Sequence, residues 1–246
     1  MTDDESTRRS FWHLKLGLLA ITAILTFGYA LSPTGTGVTN GTDATAYAFI
    51  SSNDDGSPGR FNPCEPIRYV VNDTQADPGA VDDVAEAFAR IAEATGLTFE
   101  FTGTTDAIPT TAWAIEASSD GAWPPVLIGW AHPGQTDMLS GSEAGSGGPD
   151  VMTGSDGKVF VTGSVVIDAT RNDVYRPGFG LGSSRGGLLM HELGHVVGLS
   201  HVEDAGQIMY DTTGPRPARF AAGDRAGLAA VGAAGGCLLV PPAPTS

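Results

Sequence analysis

The eleven residues HELGHVVGLSH, His191 to His201, set three imidazoles and a carboxylate at a spacing suited to gripping one metal ion. Side chains four apart share a helix face, so His191 and His195 can present two ring nitrogens to a single Zn²⁺ with Glu192 beside them. Gly198 permits the left-handed backbone that reverses the chain, and the turn can carry His201 back as a third ligand. Three neutral imidazoles leave the ion close to its full charge and one position open to water, whose pKa then falls far below its bulk value, toward about 7. Glu192 is not needed as a ligand and is placed to take that water's proton and return it to a leaving amine. The ion would also stabilise the oxyanion of a tetrahedral intermediate.

Chance is a poor rival to this reading. With five histidines in 246 residues, composition alone yields HExxHxxGxxH in roughly one such chain in 10⁵. The plain alternative, ordinary surface or core histidines on an unremarkable helix, is correspondingly weak.

HExxHxxGxxH followed closely by Ile208, Met209 and Tyr210 resembles the extended signature and methionine turn of the metzincin zinc peptidases, and of the matrixins among them. The resemblance implies an α+β zincin fold: a twisted, mostly parallel mixed sheet with two long helices, a short C-terminal helix and the site in a cleft. It implies one catalytic Zn²⁺ held by His191, His195 and His201, with Glu192 as the base, Gly198 at the turn and Met209 as an apolar floor beneath the rings. Composition alone would make Met209 one more core methionine. Tyr210 follows Met209 directly, unlike the Met-x-Tyr of relatives that recruit a tyrosine ligand, so it is not assigned to the metal.

The chain also departs from the matrixin pattern. A second, structural zinc needs three further histidines, and only His132 remains besides His13, so that ion is expected to be absent. His132, in AHPGQ, reads as an exposed loop residue, with a cleft role as the alternative. Asp211 replaces the proline after the methionine turn, and Thr212, Thr213 and Gly214 follow. This loop should line the pocket for the residue after the cleaved bond, so specificity does not carry over. Ca²⁺ could find oxygen ligands at Asp150, Asp156, Asp168 and Asp173, but no EF-hand spacing supports it and solvated loop carboxylates explain them more simply.

The elements that must position the site read as follows. Pro66 to Asn72 has the β-branched and aromatic content of a first strand. Asp77, Pro78 and Gly96 supply N-cap, first-turn and C-terminal signals for a helix with Val81, Val84, Ala85, Phe88 and Ile91 on its apolar face. Leu97 to Phe101 and Val126 to Trp130 read as further strands, and Asp156 with Gly157 marks a hairpin into Lys158 to Ile167. The active helix is expected over about Ser183 to Val197 and a last short helix over Asp224 to Val231.

Five segments are expected: a cytoplasmic tail (1–9), a transmembrane anchor or signal segment (10–31), a flexible linker (32–60), the metzincin-like catalytic domain (61–236) and a C-terminal tail (237–246). Arg8, Arg9 and Lys15 precede an uncharged run from Leu16 to Leu31, which puts the N-terminus in the cytoplasm and the domain outside as a single-pass cell-membrane protein. Secretion after signal cleavage, near Gly28 and Ala30, is the alternative. Thr7 to Phe11 also resembles a twin-arginine export signal, against which stands an ordinary basic flank. The linker is rich in Ser, Thr, Gly, Asn and Asp and too short for a folded propeptide. Cys64 and Cys237 form a disulfide candidate suited to an exported protein, in preference to two free thiols. The sequence around Cys64 does not match a zinc-blocking cysteine switch.

A net charge of −15 argues against nucleic-acid partners and against docking on an anionic lipid surface. The expected protein is therefore a monomeric zinc endopeptidase acting on extracytoplasmic proteins or peptides, its membrane association confined to the N-terminal segment. The rival is a non-catalytic, zinc-dependent binding module on a peptidase fold. Retention of Glu192 together with all three ligands favours the enzyme.

Overall fold

The computed structural model describes residues 41–119, 121–212 and 216–244, all within one compact unit, Val38–Ser246. The elements in chain order are β1 (Arg60–Phe61), β2 (Ile67–Asn72), α1 (Ala80–Thr95), β3 (Phe99–Thr104), α2 (Trp113–Glu116), β4 (Val126–Ala131), β5 (Gly145–Gly154), β6 (Gly157–Asp168), α3 (Arg185–Val196) and α4 (Ala222–Val231). The fold is α+β, as expected. β6, β4, β2 and β3 run parallel in that order, β1 joins β6 in parallel, and β5 alone is antiparallel, paired with β6 at the edge of the sheet. Every residue of β4, VLIGWA, is buried, the continuous apolar run of a central parallel strand covered on both faces. In β2, Ile67, Tyr69 and Val71 turn into the core while Arg68 faces solvent, the period-two pattern of a strand with one wet face.

α1 begins later than its sequence suggested. Asp77 is not the N-cap: that position falls to Gly79, whose φ of 80° is left-handed. The carbonyls of Asp77 and Pro78 accept hydrogen bonds from the Arg185 guanidinium (3.1 and 3.2 Å). Gly96 closes α1 as expected, left-handed at φ 72°, with its N–H on the Ala92 carbonyl. The buried face is Ala80, Val84, Ala87, Phe88, Ile91 and Thr95; Val81 is half-buried and Ala85 is exposed, because the stripe through Val84, Phe88 and Ile91 continues to Ala87 instead. α1 packs on α3 in the main core. Between them Asp83 accepts from Arg185 Nε at 2.7 Å and from the Gly178 N–H at 2.8 Å.

β3 starts two residues after the expected Leu97. Leu97 is a core residue whose N–H bonds the Thr95 hydroxyl (3.1 Å), and pairing with β2 begins as the Ile67 N–H meets the Thr98 carbonyl. The hairpin at Asp156 and Gly157 is present, with Gly154 paired to Gly157. Its first arm, β5, lay hidden in the sequence GSGGPDVMTG, which carries the glycine and proline of a loop.

Residues expected in the linker and in the C-terminal tail pack on the folded unit. The described part of the linker, residues 41–60, is docked: the Ile50 N–H bonds the Gly198 carbonyl (2.9 Å), the Ser200 N–H bonds Ala48 (2.8 Å), and the Ala222 N–H bonds Gly41 (2.9 Å). A Cβ on Gly223 would lie 2.2 Å from the Ala46 carbonyl oxygen, so α4 admits this segment only because it carries glycine there. The C-terminal stretch after 236 is also held. Cys237 is disulfide-bonded to Cys64, Trp123 Nε1 donates to the Pro241 carbonyl (2.7 Å), and Ala243 is buried with its N–H on Gly121. Among the described residues no helix is long and apolar enough to cross a membrane; the anchor expected over 10–31 lies outside them.

Candidate active site

α3 is capped by Ser184, whose hydroxyl accepts the Gly187 N–H at 3.2 Å, leaving His191 and His195 one turn apart near its end. The chain reverses at Gly198, φ 114°, where the Gly198 N–H meets the His195 carbonyl and the Leu199 N–H meets that of Gly194. A side chain there would be strained, and its Cβ would lie 2.8 Å from the Phe160 ring. The reversal delivers His201. The three Nε2 atoms stand 3.1 Å (His191 to His201), 3.2 Å (His195 to His191) and 3.0 Å (His195 to His201) apart.

The 3.2 Å separation of His195 from His191 is not a hydrogen bond. His191 Nδ1 meets the Ile208 carbonyl and His195 Nδ1 the Leu199 carbonyl, each at 2.8 Å, and a carbonyl only accepts. Both Nδ1 atoms therefore carry the proton, so both Nε2 atoms turn lone pairs toward one point. Such lone pairs repel unless a cation lies between them. A tetrahedral ion with Zn–N bonds of about 2.0–2.1 Å sets its ligand nitrogens about 3.3–3.4 Å apart, so the donor set fits zinc. Among the described residues this is the one group of three metal-ligating side chains. Asp150, Asp156, Asp168 and Asp173 are not gathered: Asp150 lies within β5, and Asp168 caps the turn after β6 by accepting from the Thr170 N–H at 2.9 Å.

Met209 is buried against Gly194, where a Cβ would lie 2.5 Å from its Sδ. The backbone of this turn is pinned by Asp224, which sequence reasoning gave only a place in the last helix. Its buried carboxylate accepts the N–H groups of Ile208 (2.7 Å), Met209 (3.2 Å) and Ala221 (2.8 Å). The Asp224 N–H in turn donates to Gln207 Oε1 at 3.0 Å. Burial pushes the Asp224 carboxyl up while these hydrogen bonds pull it down. The Ile208 carbonyl faces His191, so Asp224, the methionine turn and the first histidine form one chain of contacts.

Glu192 is 4% exposed. Burial, with the charge of Glu143 second, pushes its carboxyl up to about 8. Burial likewise holds His191 down at about 3, helped by the charge of His195, and His195 at about 4. Neutral imidazoles are the form a metal needs, and a nearby dication would draw Glu192 back toward its anionic form. β5 runs against this carboxylate. A Cβ on Gly145 would sit 3.0 Å from Glu192 Oε1 and one on Gly147 2.6 Å from the Glu192 carbonyl oxygen, which explains the glycines that made β5 look like a loop.

The histidines open into a cleft of about 660 Å³, bordered by Gly145 to Gly147 of β5, by Leu188 on α3 and by Tyr210 to Thr212 and Arg216 after the methionine turn. Glu143, Arg171, Tyr175 and Ile50 of the docked segment also line it; sequence reading assigned none of these a role. Tyr210 faces the Arg216 guanidinium, 5.2 Å from its ring centroid. His132 is exposed on its loop and does not line the cleft. Thr213 and Gly214 of the pocket loop lie outside the described residues.

No family model matches the chain, and no curated protein does. Among solved structures it is similar to metalloproteinase-II from Bacteroides fragilis, at 13% identity and a TM-score of 0.39 over 76% of this chain and 57% of that one. It is also similar to high choriolytic enzyme 1, a hatching-enzyme zinc protease from the medaka fish Oryzias latipes, at 16% identity and a TM-score of 0.26 over 62% of this chain and 50% of that one. The chain thus spans little more than half the length of the structures it matches.

Proposed function

We propose that this chain is a zinc-dependent endopeptidase of the metzincin type, matrixin-like in its motif. The observation that carries the reading is the convergence of two lone-pair-bearing Nε2 atoms and that of His201 within 3.0–3.2 Å, beside a buried Glu192 at the wall of an open cleft. His191, His195 and His201 would hold the ion, which when bound acidifies water and polarises a substrate carbonyl. Glu192 takes the proton of the attacking water on a carboxylate oxygen and gives it to the departing amine. Burial raises its carboxyl and a bound dication would lower it again, which leaves it the anion that accepts this proton. Gly145 to Gly147 offer an edge strand beside this carboxylate, and an extended peptide can hydrogen-bond to such an edge. The Cys64–Cys237 disulfide suits a site of action outside the cytoplasm, with residues 10–31 as anchor or signal.

The test uses the full chain and a mixed peptide library. One zinc per chain, cleavage by the wild type, and loss of about 10²–10⁴-fold in kcat with zinc retained in Glu192→Gln are the expected results. Zinc binding without cleavage would favour a binding module. Undiminished zinc content and activity in His201→Ala would refute the ligand set.

A further inference from the structure

Arg216 holds a cationic side chain in the wall of the cleft, in a molecule whose net charge is −15. Its Nη1 donates to the Gln207 carbonyl at 2.9 Å and its Nη2 to that of Thr212. The guanidinium is thereby held over the Tyr210 ring, 5.2 Å from its centroid. Two carbonyls use two of its five N–H donors. Among the described residues it has no ion pair with a carboxylate, whereas the other arginine of the cleft, Arg171, is paired with Asp168 at 3.2 Å. The nearby acids Asp224, Asp211 and Asp204 act on it through their charge, while the hydrogen bonds of their carboxylates go elsewhere. Asp224 accepts three backbone N–H groups, Asp204 bonds the Gly206 N–H and the Gln207 amide, and Asp211 accepts from the Thr212 hydroxyl.

We infer that Arg216 is a specificity-determining residue that selects peptide substrates carrying Asp or Glu beside the scissile bond. The inference rests on the peptidase reading above. A half-buried guanidinium, fixed by backbone carbonyls and stacked on an aromatic ring, is preorganised to meet a carboxylate. Its ordering is already complete before substrate arrives, so little side-chain freedom is lost on binding. Lysine could not reproduce this, because its ammonium lacks the planar fork.

The test compares kcat/KM for matched peptide pairs differing only in Glu against Gln at each residue flanking the cleaved bond, using the zinc-loaded full chain. The ratio within a pair is independent of how much of a variant is folded. Wild type should favour Glu at one flanking position by about tenfold or more, which is about 1.4 kcal/mol. Arg216→Gln should bring that ratio to about one, and Arg216→Glu should favour Lys over Glu at the same position. Arg216→Lys should retain only part of the preference. Cleavage by the wild type with no preference for an acid would overturn the inference and leave the peptidase reading standing. An Arg216→Gln variant slowed equally on both peptides, with the ratio intact, would also overturn it and mark Arg216 as a brace for the loop. No cleavage of any peptide would remove the peptidase reading and this inference together.

Discussion

Replacing Gly194 by alanine separates two opposing effects. Glycine inside a helix costs roughly 0.5–1 kcal/mol relative to alanine, so propensity alone makes Gly194→Ala stabilising. The structure argues otherwise: the added Cβ would lie 2.5 Å from Met209 Sδ and 3.3 Å from its Cε. Overpacking of this kind costs typically about 1–3 kcal/mol. Met209 is 1% exposed and its backbone is pinned by Asp224, so it cannot retreat into solvent. The net expectation is destabilisation of about 0.5–2 kcal/mol. In a Met209→Ala background, itself weakened by about 2–5 kcal/mol, the clash is gone and Gly194→Ala should stabilise by up to about 1 kcal/mol. The assay is urea unfolding of the four chains of this cycle, at saturating zinc and with the disulfide intact. A stabilising Gly194→Ala in the otherwise native chain, or the same sign in both backgrounds, would refute the packing argument.

Asp83→Ala should cost about 3–5 kcal/mol in urea unfolding because it leaves Arg185 buried without its partner, and Asp83→Ala with Arg185→Met should cost less than the two single changes added. Cys64→Ser with Cys237→Ser opens a link across 173 residues and should lower unfolding free energy by up to about 5 kcal/mol in the chain-entropy account, with zinc content unchanged. In the metal-free protein His191 at about 3 and His195 at about 4 stay neutral when folded. The unfolded chain takes up those protons below its ordinary value of 6.5, so stability should fall as pH drops from about 6.5 toward 4. Glu192, raised from 4.5 to about 8, acts oppositely: the folded chain keeps a proton the unfolded chain has released, and that stabilisation is lost as pH rises toward 8. Two histidines outweigh one carboxyl on the acid side, so a plot of Tm against pH in chelator should peak near 6.5; a monotonic plot would contradict these environments.

The candidate ligand set was legible because it is local. His191, His195, Gly198 and His201 lie on one helix and its turn, where spacing alone determines direction. Met209 was readable only through resemblance, since a buried methionine carries no directional signal of its own. Asp224 was not readable as a support for the site: its partners, Ile208 and Met209, are brought to it by the fold and bond through backbone N–H groups that any residue supplies. β5 failed for a different reason. Glycine and proline weaken a strand pattern, but Gly145 and Gly147 are required because Glu192 passes close to them, so a tertiary contact set the local composition. The same holds for residues 41–60, whose polar composition resembles a linker while their docking runs largely through backbone hydrogen bonds at Gly41, Ala48 and Ile50.

These missed contacts converge on the most exposed of the three ligands. His201 lies outside the helix that steadies His191 and His195, so its direction must come from the backbone on either side. On one side the Ser200 N–H bonds the Ala48 carbonyl at 2.8 Å, and on the other the Val202 N–H bonds the Met209 carbonyl at 3.1 Å. The docked N-terminal segment and the methionine turn therefore hold the third candidate ligand between them, and α4 ties the two together through Ala222 on Gly41 and Asp224 on Met209. A metal site is only as well formed as its least constrained ligand. By that reasoning the stretch that composition presented as a tether is part of the support of the proposed metal site, and the folded unit that carries this site extends back at least to Gly41.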